Sequence, residues 1–471
     1  MKPIRETYTF DDVLLVPKRS SVFSRRDVST QTKLTATISL KMPIVAANMD
    51  TVTESRMARF MAEAGGIGII HRFLSIERQA AEVRKVKRAE SVIIDDPYTI
   101  LAEKTVADAE RFMHEYNISG LPVVDATKKI IGIITHRDTM FVEDKKTPIA
   151  SIMTKRVITA PRRISLKSAK ELLFKHHIEK LPLITPRGIL IGLMVLKDIM
   201  RENAPSFASK DKKGRLLVGA AVGVKEETLS RARALLDAGV DVLVLDIAHG
   251  QNKRALETIK LLKKKLKGVE IIGGNVATRE GVADLIRAGA DGIKIGVGPG
   301  AACTTRIVTG VGIPQLSAIM DAAAMGTRAY VPLIADGGIQ SSGDLAKALA
   351  AGASTAMIGS LLAGCDEAPG EYILEDGLGY KLYRGMASRD ASDEKVRIDG
   401  GGDGAYRAPE GKSGKVPYRG HAKNVVEELL SGLRSSMSYL GARTITEFQK
   451  NAEFVHITPA GLRESHAHNI K

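Results

Sequence analysis

The chain has 471 residues, of which 44% are hydrophobic and 26% are charged. This hydrophobic content allows a packed core and excludes a wholly disordered chain. The only two cysteines are Cys303 and Cys365, which excludes a disulfide framework and favours a reducing, cytoplasmic location.

The N-terminus and the apolar runs predict neither export nor membrane insertion. Residues 1–20, MKPIRETYTFDDVLLVPKRS, begin with charged positions and have no apolar signal-peptide core. Apolar runs such as GGIGII at 65–70 are too short to cross a bilayer. We therefore expect a soluble protein with no membrane partner.

A nucleic-acid partner has to be considered because the formal net charge is +15. The lysines and arginines are scattered, in pieces such as KLLKKKLK at 260–267, and aromatic residues make up only 4% of the chain. Scattered cations favour a solvated surface, and so few aromatics disfavour base stacking. Nucleic-acid binding is therefore not expected, whereas a positive surface would attract anionic nucleotides.

Two short apolar segments come first along the chain, PIVAANM at 43–49 and GIGIIHR at 66–72. Each is followed by a turn and then by residues with helical periodicity. The pattern predicts two units of a strand followed by a helix.

An internal repeat follows these two units. NISGLPVVDATKKIIGIITHRDTM at 117–140 matches HIEKLPLITPRGILIGLMVLKDIM at 177–200, sixty positions later. Each copy is interpreted as the end of a helix, a strand, a turn, a second strand and a new helix that begins at the aspartate. Over about 91–204 this pair resembles a tandem of CBS domains, a module that binds adenine or guanine nucleotides.

The CBS resemblance implies purine nucleotide effectors. In that family the aspartate after the second strand holds a ribose, and this position is Asp138 in the first copy and Asp198 in the second. The preceding hydroxyl is present as Thr135, whereas the second copy has Val195, so the second site is less complete. The alternative is that the aspartate is only a helix N-cap.

Six further apolar segments follow the repeat, each with a turn and a helical segment behind it. They are LLVGAAVG (216–223), VDVLVLDIAHG (240–250), VEIIGGNVA (269–277), ADGIKIGVGPG (290–300), YVPLIADGG (330–338) and STAMIGS (354–360). Helical segments such as SRARALLDAG and GVADLIRAG end in Ala-Gly, a frequent helix stop.

Eight buried strands alternating with helices predict a (β/α)₈ TIM barrel. The runner-up, a doubly wound sheet, requires a switch point in strand order that the segments do not indicate. The predicted organisation is a barrel formed by 1–90 and 205–471, interrupted after its second strand by the tandem CBS insertion at 91–204.

Most of the unusual residues follow the predicted strands, where a barrel places its active site. They are Asn48, Met49 and Asp50, then Asp246, then Asn275, then the GPGAACTTR loop (298–306), then Asp336, Gly337 and Gly338, and finally Gly359 and Ser360. We expect the last glycines and Ser360 to bind a phosphate and Asp336 to accept ribose hydroxyls. The alternative is tight turns without a ligand, but a phosphorylated nucleoside fits better.

Cys303 lies in a glycine-rich loop spanning 298–310. Most free cysteines are small buried hydrophobes, but exposed amides and Arg306 would help this thiol to ionise and act as a nucleophile. Thr304 and Thr305 follow it and could relay a proton. Cys365 lacks such neighbours and is interpreted as structural.

Several motifs together resemble the family of inosine monophosphate (IMP) dehydrogenase and guanosine monophosphate (GMP) reductase. They are YTFDDVLLVPKRS, ANMDTVTE, GPGAACTTR, ADGGI, IGSLLAG, LYRGMAS and GLRESHAH, which together span essentially the whole chain. The resemblance implies that Cys303 attacks C2 of a purine and that a nicotinamide cofactor exchanges a hydride with this carbon. The dehydrogenase would oxidise IMP to XMP with NAD, and the reductase would convert GMP and NADPH into IMP and ammonia.

The two reactions differ in the flap, which spans 386–420 here. Dehydrogenases of the family carry an Arg-Tyr pair in the flap as hydrolytic base, but this segment contains no Arg-Tyr dipeptide. Its AYRAPEGKSGKVPYRG is similar to the reductase flap, which implies catalysis by Thr305 and Glu410 and cofactor contact by Arg407. GMP reductase is therefore favoured. IMP dehydrogenase is the alternative, and a nucleotide sensor with an inactive barrel is the third possibility.

The family resemblance also implies the remaining ligands. Substrate contacts would come from Met49, Asp336, Gly338, Gly359, Ser360, Tyr383, Gly385 and Met386, and cofactor contacts from Asp246, Asn275 and Arg407. Two positions depart from the family pattern. Ala301 replaces a serine that contacts phosphate, and Ala387 stands where dehydrogenases have glycine and reductases serine.

A monovalent cation, potassium by its carbonyl ligands, is implied at Gly298, Gly300 and Cys303. Glu464, Ser465 and His466 of a neighbouring subunit would complete this site. The resemblance thus implies a homotetramer, with an octamer as an open alternative. His466 and His468 alone are a weak indication of a transition metal.

Overall fold

A computed structural model describes residues 4–89, 93–95, 97–116, 118–196, 199–200, 207–399 and 408–467. The chain divides into two compact units, one formed by Met1–Ala89 and Phe207–Lys471 and the other by Glu90–Ser206. The first unit corresponds to the two predicted barrel segments, 1–90 and 205–471, and the second corresponds to the insertion predicted at 91–204.

The first unit contains a closed barrel of eight parallel strands. In chain order the strands are β1 Ile44–Ala46, β2 Ile67–Ile70, β3 Gly219–Val222, β4 Val242–Leu245, β5 Glu270–Val276, β6 Gly292–Ile295, β7 Leu333–Asp336 and β8 Thr355–Ile358. Neighbours in the barrel are neighbours in the chain, and β8 closes the ring on β1. The predicted TIM barrel is therefore confirmed with all eight strands, and the doubly wound sheet is wrong.

The strands form from short runs of β-branched and small residues because both of their faces are buried. All four residues of β4, VLVL, are buried, for example. One set of side chains fills the barrel interior and includes Val45, Ile67, Val244 and Ile334. Leu34, beside the two-stranded hairpin of Thr32–Lys33 and Ser39–Leu40, joins that interior cluster.

The first unit also contains helices, several of them short. Those described are Ser55–Glu63, Ile76–Arg88, Thr228–Asp237, Lys253–Lys265, Arg279–Ala288, Thr305–Thr309, Gln315–Ala329, Ser342–Ala350, Ser360–Ala363, Arg389–Asp399, Ala422–Tyr439, Ile445–Asn451 and Pro459–Glu464. Short 3₁₀ turns span Phe10–Asp12 and Arg25–Asp27. The predicted Ala-Gly stops are confirmed, because Gly239 and Gly289 adopt φ values of +93° and +100° directly after two of these helices.

Two small antiparallel sheets complete the first unit. Val13–Leu15 pairs with Phe454–His456. Tyr372–Glu375, Leu378–Arg384 and Ser413–Pro417 form a three-stranded sheet, of which the last strand belongs to the predicted flap. Among the described residues, no helix has the length and apolarity needed to cross a membrane.

The second unit contains two similar halves, each with its own buried cluster. The first half has the strands Ile100–Leu101, Gly120–Val124 and Ile130–Thr135 and the helices Val106–Glu115, His136–Thr139 and Ile149–Ile152. The second half has the strands Ala160–Pro161, Lys180–Ile184 and Leu190–Val195 and the helix Leu166–Lys175. In both, the two longer strands pair antiparallel and the short one adds in parallel.

The helix after the second strand of the first half starts earlier than predicted. It begins at His136 rather than at Asp138, with Thr135 as its N-cap. The Asp138 carboxylate accepts from the Thr135 backbone N and hydroxyl, both at 2.7 Å. Both predicted nucleotide ligands of this half are thus joined in a capping box, whereas Asp198 lies outside the described residues.

Candidate active site

The carboxyl ends of β5, β6 and β7 bring three predicted site residues to one edge of the barrel. Asn275 lies near the end of β5, after a cis peptide bond from Gly274, and Asp336 ends β7. The Asn275 amide donates to an Asp336 carboxylate oxygen and to the Gly296 carbonyl, both at 2.8 Å. Parallel strands thus place the predicted cofactor and ribose ligands in direct contact.

Asp246 follows β4 at the same edge of the barrel. Its carboxylate accepts a hydrogen bond of 2.8 Å from Arg72 Nε. Burial disfavours the charged form, but Arg72 and Lys294, with a hydrogen bond from Asn48, lower the pKa of Asp246 below its ordinary value. This group is therefore an ionised acceptor at neutral pH.

Sequence reasoning missed two cations at this edge, Arg72 and Lys294. Lys294 belongs to β6, is only 3% exposed, and places Nζ 2.7 Å from an Asp336 carboxylate oxygen. The available signal was a charged residue inside the otherwise apolar run ADGIKIG. Arg72, at the end of GIGIIHR, gave a similar signal.

The cysteine loop follows β6. Cys303 is partly exposed, and its thiol donates to the Thr305 hydroxyl at a sulfur–oxygen distance of 3.2 Å. Thr305 is the first residue of the short helix Thr305–Thr309. The two groups expected to act as nucleophile and proton relay are therefore in contact.

Arg306 makes contacts within the loop that the sequence did not predict. Its guanidinium donates to the carbonyls of Val297, at 3.2 Å, and Ile313, at 2.5 Å. Burial lowers the pKa of Arg306, and the nearby Cys303 opposes that change. Arg306 therefore lies within electrostatic reach of the thiol, but its hydrogen bonds close the two ends of the loop.

The described end of the flap, residues 408–412, lies between the cysteine loop and residues 385–388. The Glu410 backbone accepts from Thr304 N at 2.9 Å and donates to Ala387 O at 3.1 Å. Lys412 repeats the pattern, since it donates to Ala302 O at 2.9 Å and accepts from Gly385 N at 3.0 Å. This ladder places Glu410 beside the loop that carries Cys303 and Thr305.

The close approach explains why Gly385 has no side chain. A Cβ built on Gly385 would lie 2.8 Å from the Ala302 carbonyl oxygen. Such a distance is shorter than real Cβ atoms show, so a larger residue would separate the flap from the loop.

Several predicted substrate contacts cluster at the ends of β1 and β8. The Tyr383 hydroxyl donates to Met49 Sδ at 3.7 Å, and a Cβ on Gly359 would meet both atoms at 3.2 Å. Burial, followed by Asp336 and Cys303, raises the pKa of Tyr383, so the phenol stays protonated. Met386 Sδ accepts from Asp50 N at 3.4 Å.

The predicted phosphate residues stand at two neighbouring turns. Gly338 follows β7 with a φ of +81°, and its Cβ position lies 3.5 Å from Pro299 in the cysteine loop. Ser360 begins the four-residue helix Ser360–Ala363 after β8. Glycine is favoured at position 338 because a side chain is strained at this φ.

Other predicted residues lie elsewhere. Glu464 ends the helix Pro459–Glu464, Ser465 caps it, and both are exposed. His466 follows them, whereas Arg407 lies outside the described residues. In the part of the chain that the structure describes, no group of three or more His, Cys, Asp or Glu side chains could hold a metal.

Cys365 contrasts with Cys303. It is fully buried, and its thiol lies 3.6 Å from the Leu361 carbonyl oxygen. Burial, aided by Glu367, raises the pKa of the Cys365 thiol to about 12. A protonated, inaccessible thiol agrees with the structural role predicted for it.

The IMP dehydrogenase / GMP reductase domain matches residues 7–468. The chain belongs to this family. The resemblance inferred from its motifs is thereby confirmed, and with it an oxidoreductase of purine nucleotide metabolism that uses a nicotinamide nucleotide.

Relatives within the IMP dehydrogenase / GMP reductase family carry both names. The inosine-5′-monophosphate dehydrogenase of Aquifex aeolicus is 52% identical over 475 residues, covering 100% of this chain and 97% of that protein. A GMP reductase from Trypanosoma brucei in complex with GMP has a TM-score of 0.93 and 44% identity, covering 99% of both chains. The same organism's GMP reductase in complex with guanosine 5′-triphosphate has a TM-score of 0.81 and 41% identity, covering 97% of this chain and 98% of that one.

Proposed function

We propose that this protein is a GMP reductase, which converts GMP and NADPH into IMP and ammonia through a covalent intermediate on Cys303. One observation carries the choice between the two family reactions. The flap, 386–420, contains no Arg-Tyr dipeptide to activate water, while the Glu410 backbone is hydrogen-bonded to the cysteine loop at Thr304 N. Loss of ammonia and transfer of hydride require no activated water.

The first step uses Cys303 and its two neighbours. The Cys303 sulfur bonds to C2 of GMP, the bond from C2 to the exocyclic nitrogen breaks, and ammonia leaves. Thr305, which is in contact with the thiol, and Glu410 move the protons that this departure requires. When bound, NADPH would supply a hydride to C2 as the carbon–sulfur bond breaks. This would leave IMP, the oxidised cofactor and the Cys303 thiolate, and one proton from solvent would restore the thiol.

The substrate is held at its ribose hydroxyls and at its phosphate. Asp336 accepts from the ribose hydroxyls, and the backbone N–H groups at Gly338, Gly359 and Ser360 face the phosphate. Tyr383 adds a protonated phenol to the same region. Ala301 cannot contribute the hydroxyl that the family usually places there, so these groups carry the phosphate contact. Gly385, Met386 and Met49 contact the base.

The cofactor contacts come from Asp246, Asn275 and Arg407. Asp246 is an ionised acceptor beside Arg72 and suits ribose hydroxyls. Both amide hydrogens of Asn275 are engaged, at Asp336 and at Gly296, which directs its carbonyl oxygen toward other donors.

The cation and the assembly are inferred together. Gly298, Gly300 and Cys303 would offer carbonyl oxygens to potassium, and Glu464, Ser465 and His466 of a neighbouring subunit would complete the site in a homotetramer. The loop fits this role in one respect. The Gly300 carbonyl accepts a single bond of 2.9 Å from Cys303 N and retains a second lone pair.

The second unit is proposed to bind purine nucleotides as a tandem CBS module. Thr135 and Asp138 of its first half are already joined in a capping box, so a ribose would have to share or replace those bonds. The Trypanosoma brucei GMP reductase in complex with guanosine 5′-triphosphate supports a guanine nucleotide as effector. A cytoplasmic enzyme is expected.

IMP dehydrogenase is the second candidate, because the Aquifex aeolicus relative with that name covers the whole chain. A four-way assay separates the two, in which GMP or IMP is combined with NADPH or NAD and ammonia is recorded. Oxidation of NADPH with GMP and release of ammonia support the reductase. Reduction of NAD with IMP, without the other reaction, establishes the dehydrogenase. If neither reaction occurs, the barrel is an inactive sensor.

A further inference from the structure

We propose that Lys294 is a positioning residue that supports Asp336, the carboxylate that would accept the ribose hydroxyls of the substrate. The inference rests on the proposed function, since it assigns no new reaction. It adds one residue on which nucleotide binding depends.

Lys294 points into the barrel. Its neighbours in β6, Ile293 and Ile295, belong to the buried cluster outside the ring of strands. Successive residues of a strand face opposite sides, so the lysine faces the interior. There it is only 3% exposed, which makes it one of the few charged groups inside the barrel.

The lysine fixes one oxygen of Asp336. Its Nζ lies 2.7 Å from Oδ2, and Asn275 Nδ2 donates to the same oxygen at 2.8 Å. With Oδ2 accepting two donors, Oδ1 is the oxygen turned toward a ligand. The Asp336 side chain is 22% exposed, so a ribose can reach it.

The same charge acts on the second carboxylate. Burial disfavours ionisation of Asp246, and Arg72, followed by Lys294, offsets it and lowers the pKa of that group. Arg72 and Lys294 together balance Asp246 and Asp336. Removal of Lys294 would take its cation away from the half-buried Asp336, which favours protonation or rotation of that carboxylate.

A lysine–aspartate pair with a purely structural role in this barrel makes different hydrogen bonds. At the opposite end, Lys263 Nζ lies 2.6 Å from Asp291, whose carboxylate also accepts the Ile271 backbone N at 2.7 Å. That carboxylate joins two strands through the main chain. The hydrogen bonds described for the Asp336 carboxylate, in contrast, come from the side chains of Lys294 and Asn275.

The test compares Lys294→Met with Lys263→Met, which removes the partner of Asp291. Dissociation constants of GMP and IMP are measured by calorimetry, together with KM and kcat for nucleotide and NADPH. We expect Lys294→Met to raise the dissociation constants and the KM of the nucleotide by about 10- to 100-fold, with a smaller change in kcat and in the KM for NADPH, because the hydrogen bond to the Asp336 carboxylate is lost. Lys263→Met should leave all of them unchanged.

A ribose analogue shows where the lysine acts. 2′,3′-Dideoxy-GMP lacks the hydroxyls that Asp336 would accept, so its affinity should differ by less than about threefold between wild type and Lys294→Met. A tenfold loss with this analogue as well would overturn the assignment to Asp336. Unchanged GMP and IMP constants in Lys294→Met would overturn the whole inference.

A second pair of variants covers the case in which Lys294→Met does not fold. Asp336→Asn removes the carboxylate that Lys294 would position, so adding Lys294→Met to it should change the GMP dissociation constant by less than about threefold. A further tenfold loss in the double variant would overturn the inference. Reduction of NAD with IMP instead of oxidation of NADPH with GMP would overturn the proposed reaction, while the binding constants would still decide the role of Lys294.

Discussion

The two ends of the barrel hold half-buried carboxylates in different ways. At the amino ends of the strands, Asp241 and Asp291 each accept the backbone N–H of the preceding strand, Val218 at 2.8 Å and Ile271 at 2.7 Å. Each also pairs with a lysine. These carboxylates link one strand to the next.

At the carboxyl ends, side chains alone hold Asp246 and Asp336 among the bonds of the described residues. Arg72 contacts the first, and Lys294 and Asn275 contact the second. No main-chain group of the described residues donates to either carboxylate, so a ligand can share these carboxylates without disturbing the strands. In this barrel, aspartates that accept backbone N–H groups join the strands, and aspartates that accept only side-chain donors are available to bind a ligand.

The largest effect on activity is expected for the nucleophile, Cys303, which lies at the carboxyl ends of the strands. Cys303→Ala should reduce NADPH oxidation with GMP by about 10³-fold or more, because the covalent step is lost. GMP binding, measured by calorimetry, should stay within a few-fold of wild type. Cys365→Ala is the control, since that buried thiol lies outside the site, and retained turnover in Cys303→Ala would contradict the proposed mechanism.

Glu410→Gln should lower turnover by about 10²- to 10⁴-fold, the usual contribution of general acid–base help. The backbone of Glu410, not its side chain, bonds to Thr304 and Ala387, so the flap should stay in place. Steady-state kinetics and ammonia release measure the effect. Glu375→Gln, an exposed carboxylate paired with Lys415, is the control and should be neutral. Equal loss in both variants would argue against a chemical role of Glu410.

At the opposite end, Lys87→Met should lower the free energy of unfolding by about 3–5 kcal/mol. Lys87 is 4% exposed and pairs with Asp241 at 2.6 Å and Asp211 at 3.1 Å. Its loss takes the lysine from the half-buried Asp241, whereas Asp211 keeps its pair with Arg215. Denaturant unfolding measures the change. Lys253→Met removes an exposed pair and should stay within about 0.5 kcal/mol. If Lys87→Met raised the KM for GMP or NADPH strongly and hardly changed the free energy of unfolding, the two ends of the barrel would not differ in the way described.

The smallest effect is a shift in pH dependence. In wild type, Arg72 and Lys294 keep the pKa of Asp246 low against its burial, so the carboxylate is ionised above that lowered value. Arg72→Met removes the first of these cations, the pKa rises, and the acidic limb of kcat/KM for NADPH should move up by about one to three pH units. Arg59→Met, an exposed pair with Glu63, should leave the profile unchanged. A downward shift would contradict the assignment.

The barrel could be predicted from the sequence because both faces of each strand are buried, and each strand is therefore a short, continuous apolar run. All eight runs and their order were correct, and Asn275 and Asp336 were expected at one edge. Lys294 was missed because its partner, Asp336, lies 42 positions away in the sequence. The hydrophobic pattern of a strand does not indicate what a single charged residue within it contacts. The hydrogen bonds of Arg306 were not predicted, because its acceptors, Val297 and Ile313, come together only when the loop closes. The first half of the insertion has its helix start two residues early for a local reason, the Thr135 capping box.

The ladder between the flap and the cysteine loop has a consequence for the timing of turnover. Four backbone hydrogen bonds join residues 410 and 412 to Ala302, Thr304, Gly385 and Ala387. They alternate between the two flanking segments, so residues 408–412 can separate from the loop only after all four have broken. Wherever turnover requires this segment to open, the cost of these four bonds would enter the rate, and a side chain at Gly385 or Gly411, where the Cβ position is crowded, should change it.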